Sequence, residues 1–108
     1  MIEVREYIDR SGRNHFVRWL ERLDEVTRFR VAQVVARVSH GNFSAAKSVG
    51  RGVSELRLDF GPGYRIYFGR DGEELVILLA GGSKQRQHND VETAQVLWQE
   101  YKMQKREK

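Results

Sequence analysis

Six side chains in two stretches of this 108-residue chain have the types and spacing to hold an anion and move a proton. In "GVSELRLDFGPGYRIYFGR", residues 52–70, Arg57 and Arg65 each stand mid-strand, and Tyr67 follows two positions after Arg65. "GGSKQRQH", residues 81–88, adds Lys84, Arg86 and His88. Arginine grips phosphate through two parallel N–H donors. Tyrosine and histidine stack on unpaired bases or carry protons. In the first stretch Leu56, Leu58, Phe60, Ile66 and Phe68 must face a core, which sends Arg57, Arg65 and Tyr67 to the other face of adjacent strands. Neighbouring cations repel unless an anion or a carboxylate lies between them. Two arrangements answer that demand. An open face presents the arginines to a polyanion, while a closed one pairs them with Glu55 or Asp59.

Several elements must position these groups. Ile2, Val4 and Tyr7 or Ile8 alternate with Glu3, Arg5 and Glu6, giving a first strand over roughly 1–8. Asn14 or Ser11 caps a short helix marked by Phe16, Trp19, Leu20 and Leu23. Asp24 caps a second helix with Val31, Val34, Val35 and Val38 on one face, and Gly41 ends it, so the two helices form a hairpin. Residues 43–52 read as a connection. Strands follow near 53–60, 63–69 and 74–81, with a tight turn at Gly61-Pro62-Gly63 and another at 70–72. The last strand, "ELVILLAGG", is apolar on both faces and must be central and covered on each side. If it lies beside 63–69, its exit carries Lys84, Arg86 and His88 to the arginine face. Asp90 reads as the cap of a final helix with Ala94, Leu97, Trp98 and Tyr101 on its apolar stripe. The fold class is therefore α+β: one domain over 1–108, in the order β-α-α-β-β-β-α. A mainly antiparallel sheet packs on the helical hairpin, with a C-terminal helix added. Trp19 and Trp98 sit on apolar stripes and read as core, and "KMQKREK" reads as a basic tail frayed at its end.

Composition narrows the classes. Net charge is +4, which suits a polyanion partner or a plain solvated surface. Cysteine is absent, which removes disulfides and thiolate catalysis. No apolar run reaches membrane-spanning length, and "MIEVREYIDR" lacks the apolar block of a signal peptide, so the expected location is the cytoplasm with no membrane partner. Glu55 and Asp59 alone do not make a ligand set, and no metal or cofactor is expected.

The run "GVSELRLDFGPGYRIYF…LVILLAGGSKQRQHNDVETAQVLW", with "RWLERLDEVTRFRVAQVVARVSHGNF" at 18–43, resembles toxins of the RelE/ParE superfamily. It is most similar to their phage-derived, HigB-like "addiction module killer" branch. The motifs that carry the resemblance are the ELR strand, the G-P-G-Y-R turn, and a glycine pair followed by lysine. The resemblance implies a type II toxin–antitoxin toxin that cuts mRNA on the ribosome. Its implied partners are a cognate antitoxin, expected to be of the helix-turn-helix type, and operator DNA reached only through that antitoxin. By position, Arg65 matches the arginine placed at the RNA phosphate, Lys84 the basic residue after the glycines, and Arg57 the arginine of the ELR strand. The implied catalytic set is Arg65, Lys84, Arg57, His88 and Tyr67, with RNA bound by Arg57, Arg65, Lys84 and Arg86. Ser83 stands where the branch commonly has aspartate, and Gln85-Arg86 where it has small polar residues, so Arg86 and His88 are particular to this chain. Two other outcomes fit the superfamily: a non-enzymatic inhibitor of DNA gyrase, and an inactive toxin kept as a partner of its antitoxin.

Overall fold

A computed structural model describes residues 1–107. A five-stranded sheet runs in the order β1-β5-β4-β3-β2. Its strands are β1 (Glu3–Glu6), β2 (Ala46–Gly50), β3 (Val53–Arg57), β4 (Arg65–Asp71) and β5 (Leu75–Gly82). β1 pairs parallel with β5, and every other pairing is antiparallel. Helices α1 (His15–Glu21) and α2 (Glu25–Ser39) cover one face, and α3 (Gln87–Arg106) covers the other after a short 3-10 turn at Lys84–Arg86.

Local chemistry sets the boundaries. The Asn14 carboxamide accepts from Val17 N (3.0 Å) and starts α1, and the Asp24 carboxylate accepts from Thr27 N (3.3 Å) and starts α2. Gly41, at φ +90°, turns the chain away after α2 in a conformation that costs glycine nothing. Two expectations need correction. The segment 43–52 is not all connection, because β2 lies within it and pairs with β3 as an edge strand; the Gly50–Gly52 reversal supplies the turn. Asp90 does not cap α3, which begins three residues earlier; its carboxyl is drawn inward, over Gly82. Of the basic tail, residues through Arg106 continue α3, and Lys108 lies outside the described residues.

The sheet separates two cores. Phe16, Trp19, Val31 and Val38 pack with Leu56, Ile66, Phe68, Val76 and Leu78 under α1 and α2. Val53, Tyr67, Ile77, Leu79 and Ala80 pack with Ala94, Leu97 and Trp98 under α3. Burying each large apolar side chain contributes on the order of 1.5–3 kcal/mol. The expected double-faced strand is β5, and its residues feed both cores. The β4–β5 register slips between Tyr67 and Phe68, so Leu79 and Ala80 both turn toward α3. That slip aims Gly82 at α3 and Gly81 at α1. Trp19 lies flat against Gly81, and Trp98 against Gly69 of β4, where a Cβ would collide with each indole. The two tryptophans therefore clamp the sheet from opposite sides, as core residues. Among the described residues, no helix is long and apolar enough to cross a membrane.

Candidate nucleic-acid interface

The antiparallel registers lay two rows of side chains across three strands on the α3 face. One row runs Glu55–Tyr67–Ala80 and the next Arg57–Arg65–Gly82. Arg57 and Arg65 are thus direct cross-strand partners, and β5 leaves the sheet beside them. The chain then folds back over the glycine turn: Lys84 N donates to Pro62 O (3.4 Å), and the Lys84 side chain stands over Gly63. Arg57, Lys84, Arg86 and His88 are exposed around this end of the sheet.

Arg65 and Tyr67 depart from the open face expected of them. Arg65 is 2 % exposed and Tyr67 0 %. The physical reason is α3, whose first turns lie on this face to bury the apolar side of β5. Beneath that roof Arg65 takes the closed arrangement. Its Nε stands 3.5 Å from Glu55 Oε2, too far for a good hydrogen bond, and its Nη1 donates to Gly63 O (2.7 Å). Gln87 Nε2 donates to Glu55 Oε2 (2.8 Å) and so ties the roof to the pair. Four buried polar atoms here have no hydrogen-bond partner: Glu55 Oε1, Arg65 Nε, the Tyr67 hydroxyl and Asp90 Oδ2. Such groups cost about 1–3 kcal/mol each when left unmade. Burial first, then the Glu55 charge, pushes the Tyr67 phenol well above its usual range. Burial also raises the Asp90 carboxyl, against the pull of Arg86 and Arg22.

The structure therefore brings Arg57, Arg65, Tyr67 and Lys84 to one end of the sheet, as expected. It divides them into exposed cations outside and a neutralised arginine within. His88 is 89 % exposed and pairs with Glu92 one helical turn on, Nε2 to Oε1 2.9 Å, on the outer side of α3. Sequence reasoning did not find Arg22, whose charge reaches Asp90 from the end of α1. It also missed Gln87. Helical phase places Arg22 on a helix surface without saying which neighbour it meets. His15 pairs with Asp9 (2.9 Å) away from this end.

Tyrosine burial makes one measurable prediction. Tyr101 is pushed up to about 12 by burial and by its hydrogen bond to Asp71. Tyr7 is raised further by burial and by donating to Glu100 (2.8 Å), and Tyr67 is raised as above. Raised folded values mean the neutral phenols stabilise the fold. That contribution is complete below the ordinary tyrosine value of 10.0 and is lost as pH rises through the folded values. Melting temperature should fall from about pH 10 upward, and phenolate absorbance should rise in step with unfolding. A rise of phenolate absorbance near pH 10 that exceeds one of the four tyrosines, in a still-folded chain, would contradict the burial.

Together these features define a small α+β domain whose sheet ends in a rim of cations backed by a buried Glu–Arg pair. The chain belongs to the family Phage derived protein Gp49-like (DUF891), a RelE-like family associated with toxin–antitoxin systems; residues 18–102 match it. It is 41 % identical over 86 residues to an uncharacterized protein of Haemophilus influenzae, covering 79 % of this chain and 87 % of that one. No solved structure matches it. The family context implies an antitoxin partner.

Proposed function

We propose that this chain is the toxin of a type II toxin–antitoxin pair, of the HigB-like branch, and that it cuts mRNA on the ribosome in the cytoplasm without a metal. The observation that carries this reading is the rim itself. Arg57 from β3, and Lys84 and Arg86 from the 3-10 turn after β5, stand exposed around one glycine turn. Family membership supplies the toxin context.

In the proposed reaction the ribose 2′-oxygen attacks the adjacent phosphorus and the P–O5′ bond breaks. The 2′-hydroxyl proton passes to a base, and the departing 5′-oxygen takes a proton from an acid. The products are a 2′,3′-cyclic phosphate and a 5′-hydroxyl. Arg57, Lys84 and Arg86 hold the phosphate and offset the negative charge that builds on it. Arg65 has a positioning role in the closed form. It fixes the Gly63 carbonyl of the turn on which Lys84 rests. Direct contact of Arg65 with phosphate, or proton transfer by Tyr67, requires the turn carrying Gln87 to lift. His88 is the exposed candidate for acid–base work, worth typically about 10²–10⁴-fold.

One observation favours a second, non-enzymatic reading. The closed Glu55–Arg65–Tyr67 cluster withholds part of the catalytic set, as suits a gyrase inhibitor or a toxin kept for antitoxin binding. Primer extension on mRNA from expressing cells separates the readings. The nuclease should give new 5′ ends inside translated frames. Intact messages with double-strand DNA breaks would replace it with the gyrase reading, and neither signal would leave the binding role.

A further inference from the structure

α2 turns apolar side chains to solvent as well as to the sheet. Its inward face carries Val31 and Val38, both buried. On the outward face Val26 is 68 % exposed and Phe29 65 %, and Gln33 and Ala36, also exposed, continue the line. Positions 26, 29, 33 and 36 follow the alternating three- and four-residue spacing that makes a seam between paired helices. The stripe is about 15 Å long, close to three helical turns. Single exposed apolar side chains are ordinary on a protein surface. Two large ones a turn apart on one helix, in phase with such a seam, mark an unpartnered face.

Cations flank this stripe. Arg30 and Arg37, two heptad-related positions, lie along one edge of it, where paired helices place their charged contacts. Among the described residues neither has a carboxylate partner. The Arg30 guanidinium lies 4.1 Å over the Phe60 ring, a contact made by its flat face that leaves its in-plane N–H donors unused. The negative end of α2 accounts for Arg37 in the last turn. It does not account for Arg30, which stands mid-helix. On the opposite edge Arg28 is tied to Leu23 O (2.9 Å). Glu25, in the first turn, is the one acid of the helix. These charges disfavour two occupants. A second copy would set arginine against arginine in antiparallel pairing, and in parallel pairing would offer one Glu25 for two arginines. A phosphate backbone would satisfy the arginines and leave Val26 and Phe29 in water.

We propose that the outward face of α2 docks an acidic amphipathic helix of the antitoxin. The apolar side of that helix covers Val26 and Phe29, and its carboxylates meet Arg30 and Arg37. The surface lies across the sheet from α3 and the Glu55–Arg65 pair. The proposal rests on the toxin–antitoxin context and not on RNA cleavage.

Surface plasmon resonance tests it, with the product of the reading frame adjoining this chain's gene as the probe. The unaltered chain, V26S/F29S and R30E/R37E are compared, and each is also expressed in cells with and without that product. V26S/F29S should weaken binding at least about tenfold, the ordinary effect of losing one interface anchor. R30E/R37E should slow association about tenfold at low salt, a difference that shrinks as salt rises. Both variants should melt with the unaltered chain and, expressed alone, arrest growth as it does, while the product relieves their arrest less well. Equal binding by V26S/F29S overturns the proposal, and so does a product that does not bind the unaltered chain. An R30E/R37E chain that loses RNA but keeps the product would give the arginines to RNA and overturn it too. So would an isolated chain that sediments as a dimer which V26S/F29S splits, since the face would then belong to a second copy. A chain that binds the product through α2 but neither arrests growth nor cuts message keeps the surface and fails the nuclease reading.

Discussion

Arg65→Ala should unfold the protein before it reports on catalysis. Arg65 and Glu55 are both sealed under the first turns of α3. Removing the guanidinium leaves the Glu55 carboxylate in a dry site with Gln87 as its one remaining donor. Breaking a buried pair from one side costs about 3–5 kcal/mol, a large share of the roughly 5–15 kcal/mol that holds a domain together. For a chain of this size a loss of 1 kcal/mol lowers the melting temperature by about 4–8 °C, so a fall of more than about 10 °C is expected. Substituting both partners tests the cause. Glu55→Leu with Arg65→Met removes both charges at similar volume and should recover most of the lost stability, since paired apolar replacements are often neutral or better. Calorimetry on the two single variants and the double variant reads the coupling directly. Equal melting of Arg65→Ala and the unaltered chain would mean that the carboxylate reaches water, and the buried cluster would be wrong. Loss of growth arrest in Arg65→Ala alone therefore says little about chemistry, and the exposed rim gives the cleaner test.

That test is R57Q/K84Q/R86Q. These side chains are exposed and, among the described residues, form no ion pair, so the fold should be untouched, with changes within about 0.5 kcal/mol per site. Binding should change greatly. Three phosphate contacts at roughly 0.7 counterions each make up about 2.1 powers of the salt concentration. At about 0.1 M salt that share is on the order of a hundredfold in affinity. Growth arrest on expression should disappear while the circular dichroism melt stays put. A variant that folds, binds RNA as tightly as before and still arrests growth removes the rim from the proposed function.

The fate of the two arginines shows where sequence reading stops. Alternation correctly put Arg57, Arg65 and Tyr67 on one face, because a strand's side-chain period is fixed at two. It could not say what covers that face. A clue was present. β5 is apolar on both sides, so a helix had to lie on the arginine side as well, and Arg65 on the neighbouring strand would fall beneath it. Arg57, one strand further out, escapes that roof and stays exposed. β2 was missed because Ala46 and Val49 give a weak alternation, and an edge strand needs only one partner to exist.

By itself the sequence determined the order of every element but β2, a cap for α1 at Asn14 or Ser11, the cap at Asp24, the stop at Gly41, the central place of β5 and the placement of four cations at one end of the sheet. These follow from local backbone preference and from hydrophobic period, which act over a few residues. Tertiary structure alone decided which of those cations meets solvent and which meets Glu55. It also decided that Asp90 turns inward instead of capping α3, within reach of the Arg86 and Arg22 charges. Burial and charge pairing depend on segments far apart in the chain arriving at the same place, and no local pattern encodes that meeting.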